Sequence, residues 1–303
     1  MPELVVRSPE HYFCVLPHDV RLYALQFIQT QRGRVVAPNS LCYAGRLGTL
    51  FADLVLEAKG GMTSCTCAAS GEFILTFMQD TGAIMRFSGD GKDISALTSL
   101  TKKTPLMALQ TSAGELLGVC YDTKDTAAGN QFWFGHSSVV RPSIALNRTE
   151  TRLYVCLDRE TRIRLFDMPY RGAPPVWHIP VLVHPTAMVV LSDDSVVASS
   201  APVNGMIMHY SLEGRVLEKM CFYETVYRAD CLLAVDADDV LFIFCPGRDS
   251  IYFSHPPYAT AEFSVRCRDS VYMEEAHALA IGHDGAVIVG AQKGQLQRFC
   301  AKK

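Results

Sequence analysis

Three groups of residues carry types and spacings that could do chemistry. Cys65 and Cys67 stand two apart in SCTCA, so on a strand they share a face and could form half of a thiolate metal site. No C-x-x-C occurs in the chain to supply a second half, and the pair reads as small residues packed in an inner strand. His283-Asp284-Gly285 has the composition of a catalytic turn, but Asp and Gly are also the residues that satisfy turn backbone angles. Seven arginines fall between residues 141 and 171: Arg141, Arg148, Arg152, Arg159, Arg162, Arg164 and Arg171. Four acids, Glu150, Asp158, Glu160 and Asp167, leave that window at net +3. Arginine forks suit carboxylates and phosphates, so the window reads either as a docking site for an acidic partner or RNA, or as a solvated face with local pairs such as Arg159–Glu160 and Arg164–Asp167.

The histidines His178, His209 and His277 lie singly in apolar strand-like runs and read as packed or hydrogen-bonded groups. Trp133 in QFWFGH and Trp177 in VWHIP are expected in the core. No phosphate cradle, nucleophile elbow, H-E-x-x-H or D-x-D-x-D-G motif is present. The sequence therefore points to no catalytic, cofactor-binding or metal-ligating residue.

These residues sit on a repeated scaffold. A polar or Gly turn flanked by apolar runs recurs at Gly33, Gly71, Gly114, Thr151, Asp194, Asp239 and Gly285, at intervals of 37–46 residues. A propeller blade of four short strands needs about 40–45 residues. After each turn comes a second run, a short polar loop, a third run, a turn and a fourth run. One copy reads FILTFM, QDTG, AIMRFS, GDGK, DISALTS. Val-, Ile-, Phe- and Tyr-rich runs between Gly/Pro/Asp clusters signal strands. The seventh copy ends after its third strand, QLQRFCA, and HYFCVL at residues 11–16 offers a spare strand to close it. The reading is all-β: a single seven-bladed β-propeller over residues 11–303 behind a tail at 1–10, the last blade closed by that N-terminal strand, with six blades as the alternative.

The blades resemble those of WD40-like and NHL-like propellers. Gly135-His136 and Gly282-His283 match the Gly-His pair of WD40 repeats, while Trp-Asp is absent. His283-Asp284-Gly285, Ile84-Met85-Arg86-Phe87, Ile163 to Asp167, and Ile207 to Tyr210 with Gly214 match the NHL-type blade. The resemblance implies a fold. Propellers host enzymes, scaffolds and RNA binders alike.

Composition narrows the function classes. The chain has 303 residues, 49% hydrophobic and 19% charged, with net charge −3, which disfavours both disorder and a global field for polyanions. Eleven cysteines, mostly inside strand-like runs, point to a reducing compartment. The expected location is the cytoplasm, with the nucleus as the other reducing candidate. No apolar run is long enough to span a membrane, so no membrane insertion is expected.

The inner-strand runs MALQ, SIAL, TAMVV, CLLAV and AHALA are almost free of carboxylates. They offer few hard oxygen ligands to a channel metal. The leading expectation is accordingly a non-catalytic interaction scaffold, not an enzyme, held by protein partners in a larger assembly. Its expected docking face carries Arg46, Lys124, Arg159, Arg162, Tyr223, Tyr227, Arg228, Arg248 and Lys293, together with the long loop Asp122–Asn130. Two alternatives stand beside it. One is a metal-dependent channel hydrolase of the gluconolactonase-like type. The other is RNA binding through the arginine-rich blade.

Overall fold

A computed structural model describes residues 104–258 with short breaks; outside that stretch it describes the strands named here. Near the N-terminus, β1 (His11–Val15) and β2 (Leu25–Gln29) pair antiparallel in a sheet of their own. β3 (Gly48–Phe51) and β4 (Leu54–Glu57) follow. The first four-stranded sheet is β5 (Gly61–Cys67), β6 (Phe73–Met78), β7 (Ala83–Phe87) and β8 (Ile94–Ser99). The second holds β9 (Thr104–Gln110), β10 (Leu116–Tyr121), β11 (Thr126–Ala128) and β12 (Gln131–His136). The third holds β13 (Ser143–Leu146), β14 (Arg152–Cys156), β15 (Arg162–Asp167) and β16 (Trp177–Pro180). The fourth holds β17 (Ala187–Val190), β18 (Val196–Ser200), β19 (Met206–Tyr210) and β20 (Val216–Cys221). The fifth holds β21 (Leu232–Val235), β22 (Leu241–Cys245), β23 (Ser250–Ser254) and β24 (Phe263–Arg268), with β3 added in parallel on β24. The sixth holds β25 (Ala276–Ile281), β26 (Val287–Ala291) and β27 (Gln295–Phe299), completed by β4.

The innermost strands β5, β9, β13, β17, β21 and β25 follow one another in a circle, and β25 meets β5 again. The all-β propeller reading therefore holds, but seven blades do not emerge: among the described residues the circle contains six sheets of four or five strands. The copy expected around Gly33 gives only the β1–β2 pair among those residues. The closing strand also differs from the expected 11–16. β27 takes β4 as its antiparallel neighbour, Leu296 opposite Leu56. The reason is connectivity. β4 lies three residues before β5, the innermost strand of the next sheet, so the chain steps from an outer strand to the adjacent inner strand as it does between other blades. That pairing satisfies the edge of β27 over the shortest path.

The second blade departs from the repeat. β12 runs parallel to β10, and the expected loop 122–130 contributes β11, antiparallel to β12. Gly118 on β10 makes this pairing feasible. A Cβ there would lie 2.3 Å from Trp133 Cζ3 and 2.6 Å from the Met107 carbonyl oxygen.

Between blades, apolar side chains interdigitate. Leu117, Val119 and Phe134 meet Ile144, Leu153 and Val155 between the second and third blades. Tyr154, Ile163 and Ile179 meet Met188, Val196 and Met208 between the third and fourth. Trp133 is buried at 2% exposure as expected, while Trp177 is 56% exposed on an outer strand, against expectation. β16 is the outermost strand of its blade, so one side has no neighbouring strand to cover the ring.

Cys120, Cys156 and Cys231 are buried cysteines. Burial, reinforced by the Glu160 carboxylate, pushes the Cys156 thiol up to about 12. In the native protein at pH 8, none of the three should alkylate, and all should do so on unfolding; peptide mass spectrometry reads both states.

Candidate functional site

The turn from each innermost strand to the next is built alike in four consecutive blades. In the turn at 111–115, the Gly114 amide donates to Thr111, and in the turn at 147–151 the Glu150 amide donates to Asn147. Asp194 donates to Leu191, and Asp239 to Asp236, in the same way. The donor residue has positive φ in every case: 79° at Gly114, 53° at Glu150, 67° at Asp194 and 62° at Asp239. Left-handed backbone favours Gly and tolerates Asp better than most residues. The turn expected at Thr151 is thus centred one residue earlier, at Glu150.

Three of these positions carry acids, and each acid binds the preceding blade. Glu150 accepts from the Ser112 amide at 2.8 Å and from the Ser112 hydroxyl at 2.6 Å. Asp194 accepts from Asn147 Nδ2 at 3.0 Å and Arg152 Nη1 at 3.2 Å. Asp239 accepts from the Ser192 amide at 3.0 Å and from the Ser192 hydroxyl. The carboxylates therefore form a chain of clasps around one end of the ring.

Inside this end lies a cavity of about 490 Å³, walled by the innermost strands. Ligand sites commonly fall between about 300 and 1,000 Å³. Leu109, Ile144, Met188, Val190, Leu233 and Ile281 are among the residues that line it, and polar and apolar atoms share its surface about equally. Its polar side chains are Thr66 on β5, Gln110 at the end of β9, and Asn147, Arg148 and Glu150 after β13. Asn147 is 3% exposed and saturated. Its Nδ2 donates to Thr149, Thr151 and Asp194, and its Oδ1 accepts from the Thr151 and Arg152 amides. Arg148 reaches across to the fifth blade, where Nη2 donates to Asp239 Oδ1 at 2.7 Å and to the Asp236 carbonyl at 3.3 Å. Its Nε and Nη1, and the Gln110 amide, have no partner among the described residues.

A divalent cation does not suit this lining. The Asn147 oxygen is taken by two backbone N–H donors, Glu150 is the one carboxylate among the described lining residues, and the Arg148 guanidinium stands beside it. Among the described residues, no three His, Cys, Asp or Glu side chains gather elsewhere as a metal site.

A second polar cluster has the residue types of a serine–histidine–carboxylate relay. Ser195 Oγ lies 2.7 Å from His209 Nε2, and His209 Nδ1 lies 3.3 Å from Glu218 Oε2. The Ser195 hydroxyl, however, donates to Asp193, and Ser195 is buried. Glu218 also accepts from the Tyr258 amide at 2.7 Å, in the next blade. This cluster joins β18, β19, β20 and the fifth blade, and His209 is hydrogen-bonded as expected. Partial burial would raise the Asp193 carboxyl, but the two bonds from Ser195 outweigh it and hold the group below its ordinary value.

Of the nine expected docking residues, Lys124 and Arg162 are described, and both are exposed. Arg46, Arg159, Tyr223, Tyr227, Arg228, Arg248 and Lys293 lie outside the described residues. The described arginines of the 141–171 window all face carboxylates. Arg148 meets Asp239, Arg152 meets Asp194, Arg162 and Arg164 meet Glu160, and Arg171 meets Glu115. Arg164 thus pairs with Glu160 instead of Asp167. The clasp acids Glu150, Asp194 and Asp239 were not among the expected site residues, although their shared place in the repeat was the signal that could have found them.

No protein-family model matches the chain, and no curated protein matches its sequence. Solved structures do. A streptogramin B lyase aligns with TM-score 0.54 and 12% identity, covering 82% of this chain and 97% of that one. Virginiamycin B lyase from Staphylococcus aureus aligns with TM-score 0.57 and 13% identity, covering 81% of this chain and 98% of that one. At such identity the likeness establishes the fold. It supports the expected β-propeller resemblance, and WD40 kinship in particular gains nothing from it. It also overturns the expectation of a non-catalytic scaffold, because both of these solved propellers are enzymes. This chain is a β-propeller, and two of the solved structures it resembles are lyases.

Proposed function

We propose that this propeller is an enzyme of the hydrolase or lyase kind, acting on a small organic molecule seated in the central cavity. The observation that carries the reading is the presence of Gln110, Arg148 and Glu150 together in the lining of the 490 Å³ cavity. The enzymatic character of the structural neighbours supports it. Glu150 is the carboxylate placed to accept a proton from the bound molecule, with its ground-state position fixed by Ser112. Arg148, fixed at one nitrogen by Asp239, offers its remaining N–H groups to an oxygen on which negative charge grows. Asn147 holds the turn that carries both.

The test is a screen of purified protein against esters, lactones and lyase substrates, with Glu150→Gln as its partner. Glutamine keeps an acceptor for Ser112 but is no base. Glu150→Gln should lower kcat about 10²–10³-fold with little change in KM. Full activity in that variant overturns the assignment of Glu150.

A further inference from the structure

The outer rim of the ring carries a pocket of its own. Of the six large apolar residues exposed among the described residues, five lie on or beside the outermost strands of the third and fourth blades: Val176, Trp177, Leu182, Val216 and Leu217. Exposed apolar side chains gathered in one region mark a contact for another molecule. The strand register explains how the pocket forms. Tyr154, Ile163, Leu165 and Ile179 share the face of the third blade that packs on the fourth. The same face continues with Trp177 opposite Leu165 and Asp167 opposite Arg152. The turn at 211–215 of the fourth blade meets them there. Trp177 Nε1 donates to the Leu212 carbonyl at 3.2 Å. A Cβ on Gly214 would lie 2.5 Å from Pro180 Cγ, so the turn is pressed against β16. The space left is about 300 Å³, with Leu165, Val176, Trp177 and Leu212 beside Arg152, Asp167 and Glu213 in its lining. It shares no lining residue with the central cavity.

Charge and ring chemistry select the occupant. Arg152 turns to Asp194 at 3.2 Å, although Asp167 is its cross-strand neighbour. The Asp167 carboxylate is thereby left without a partner among the described residues. Glu213 accepts from the Ser211 hydroxyl at 2.7 Å, and that bond, with a smaller contribution from Arg215, holds its carboxyl below the ordinary value. Three carboxylates, Asp167, Asp194 and Glu213, therefore outnumber two guanidiniums, Arg152 and Arg215, and a cation is favoured. The Trp177 N–H is already engaged, so the indole offers its face. A planar, weakly hydrated guanidinium stacks on that face and directs its fork to carboxylates. β16 has no strand on its outer side among the described residues, an edge that an extended chain can join.

We propose that this pocket receives an arginine side chain from an extended segment of a partner protein, the guanidinium lying on the Trp177 indole between Asp167 and Glu213. The surface is separate from the central cavity and leaves the enzymatic reading as it stands.

The experiment titrates the full chain with a capped heptapeptide that carries arginine at its centre between valine and leucine residues. Two further peptides replace the arginine with citrulline, which keeps the shape and loses the charge, or with glutamate. Dissociation constants come from titration calorimetry. Acrylamide quenching supplies a second readout, because the chain has two tryptophans and Trp133 is buried, so quenching reports Trp177. The arginine peptide should bind about tenfold tighter than the citrulline peptide and should protect Trp177. Trp177→Leu and Asp167→Asn should each weaken it about fivefold. Circular dichroism confirms that both are folded, and Asp167→Asn with the quenching result carries the test if Trp177→Leu is not. Nα-acetylarginine amide should bind more weakly than the peptide; equal affinity would make a free cation the occupant and overturn the protein partner. Citrulline binding as tight as arginine, tighter binding of the glutamate peptide, or affinity unchanged in both variants overturns the proposal. So does absence of binding by every peptide up to about 1 mM. None of these readouts involves turnover, so their failure leaves the Glu150 test untouched, and failure of that test leaves the arginine pocket untouched.

Discussion

Replacing Asn147 with alanine lowers the stability of the ring by about 3 kcal/mol. The side chain is buried, and its oxygen accepts from two backbone amides, each at 2.9 Å. Its nitrogen donates to Asp194 in the next blade. Alanine leaves those amides and one carboxylate oxygen without their partner, at about 1 kcal/mol each. Urea denaturation reads the loss directly. Asn147→Asp gives a sharper result. The oxygen that serves the two amides remains, but a carboxylate now stands 3.0 Å from Asp194 Oδ1, where an amide stood. Like charges at that distance raise the pKa of one partner. The Asn147→Asp variant should therefore be less stable than Asn147→Ala at pH 7 and recover relative to it as pH falls through the raised value. A pH-independent difference between the two variants would mean that the Asn147–Asp194 clasp carries no weight.

Gly118→Val is the second large effect. A Cβ at this position would stand 2.3 Å from the Trp133 ring and 2.6 Å from the Met107 carbonyl oxygen. The ring is nearly fully buried and the carbonyl belongs to the paired strand β9, so neither moves freely. Overpacking in a filled core costs about 3 kcal/mol at the upper end of its usual range. For a chain of this size that lowers Tm by roughly 5 °C. Trp133→Leu in the same chain makes room, and should return about 1 kcal/mol or more of the loss relative to additivity. Strict additivity of the two substitutions would show that the contact is not what excludes a side chain at Gly118.

The repeat was legible in the sequence because each turn imposes a local chemistry. Gly114, Asp194 and Asp239 all occupy left-handed positions that the spacing picked out. Glu150 was missed by one residue because its turn is a residue longer, so that Asn147 bonds Arg152 where Thr111 bonds Glu115. The number of sheets was less legible. HYFCVL looks as strand-like as LVLE, and nothing local tells which of them β27 will choose; the choice follows from β4 leading directly into β5. The parallel pairing of β12 with β10 was likewise invisible, because a nine-residue polar stretch gives no sign that residues 126–128 will form a strand.

The site was the least legible part. The inner strands read as carboxylate-free, and they are; the acid in the cavity comes from a turn. The arginine-rich window left open an outward docking surface or a solvated face with local pairs. Arg148 and Arg152 turn to carboxylates of neighbouring blades, 91 and 42 positions away in the chain, a pairing that no local pattern encodes. Trp177 went the other way, onto the surface, because β16 is the outer strand of its blade.

The central claim is that chemistry takes place in the cavity at the middle of the ring. The most direct measurement is the turnover of a substrate found by the screen, compared between the wild-type chain and Ala145→Phe at equal folded concentration. Filling the cavity from β13 should reduce kcat/KM by at least about 10²-fold while leaving the circular dichroism spectrum unchanged. Wild-type turnover by the filled ring would place the reaction elsewhere on the molecule and contradict the account.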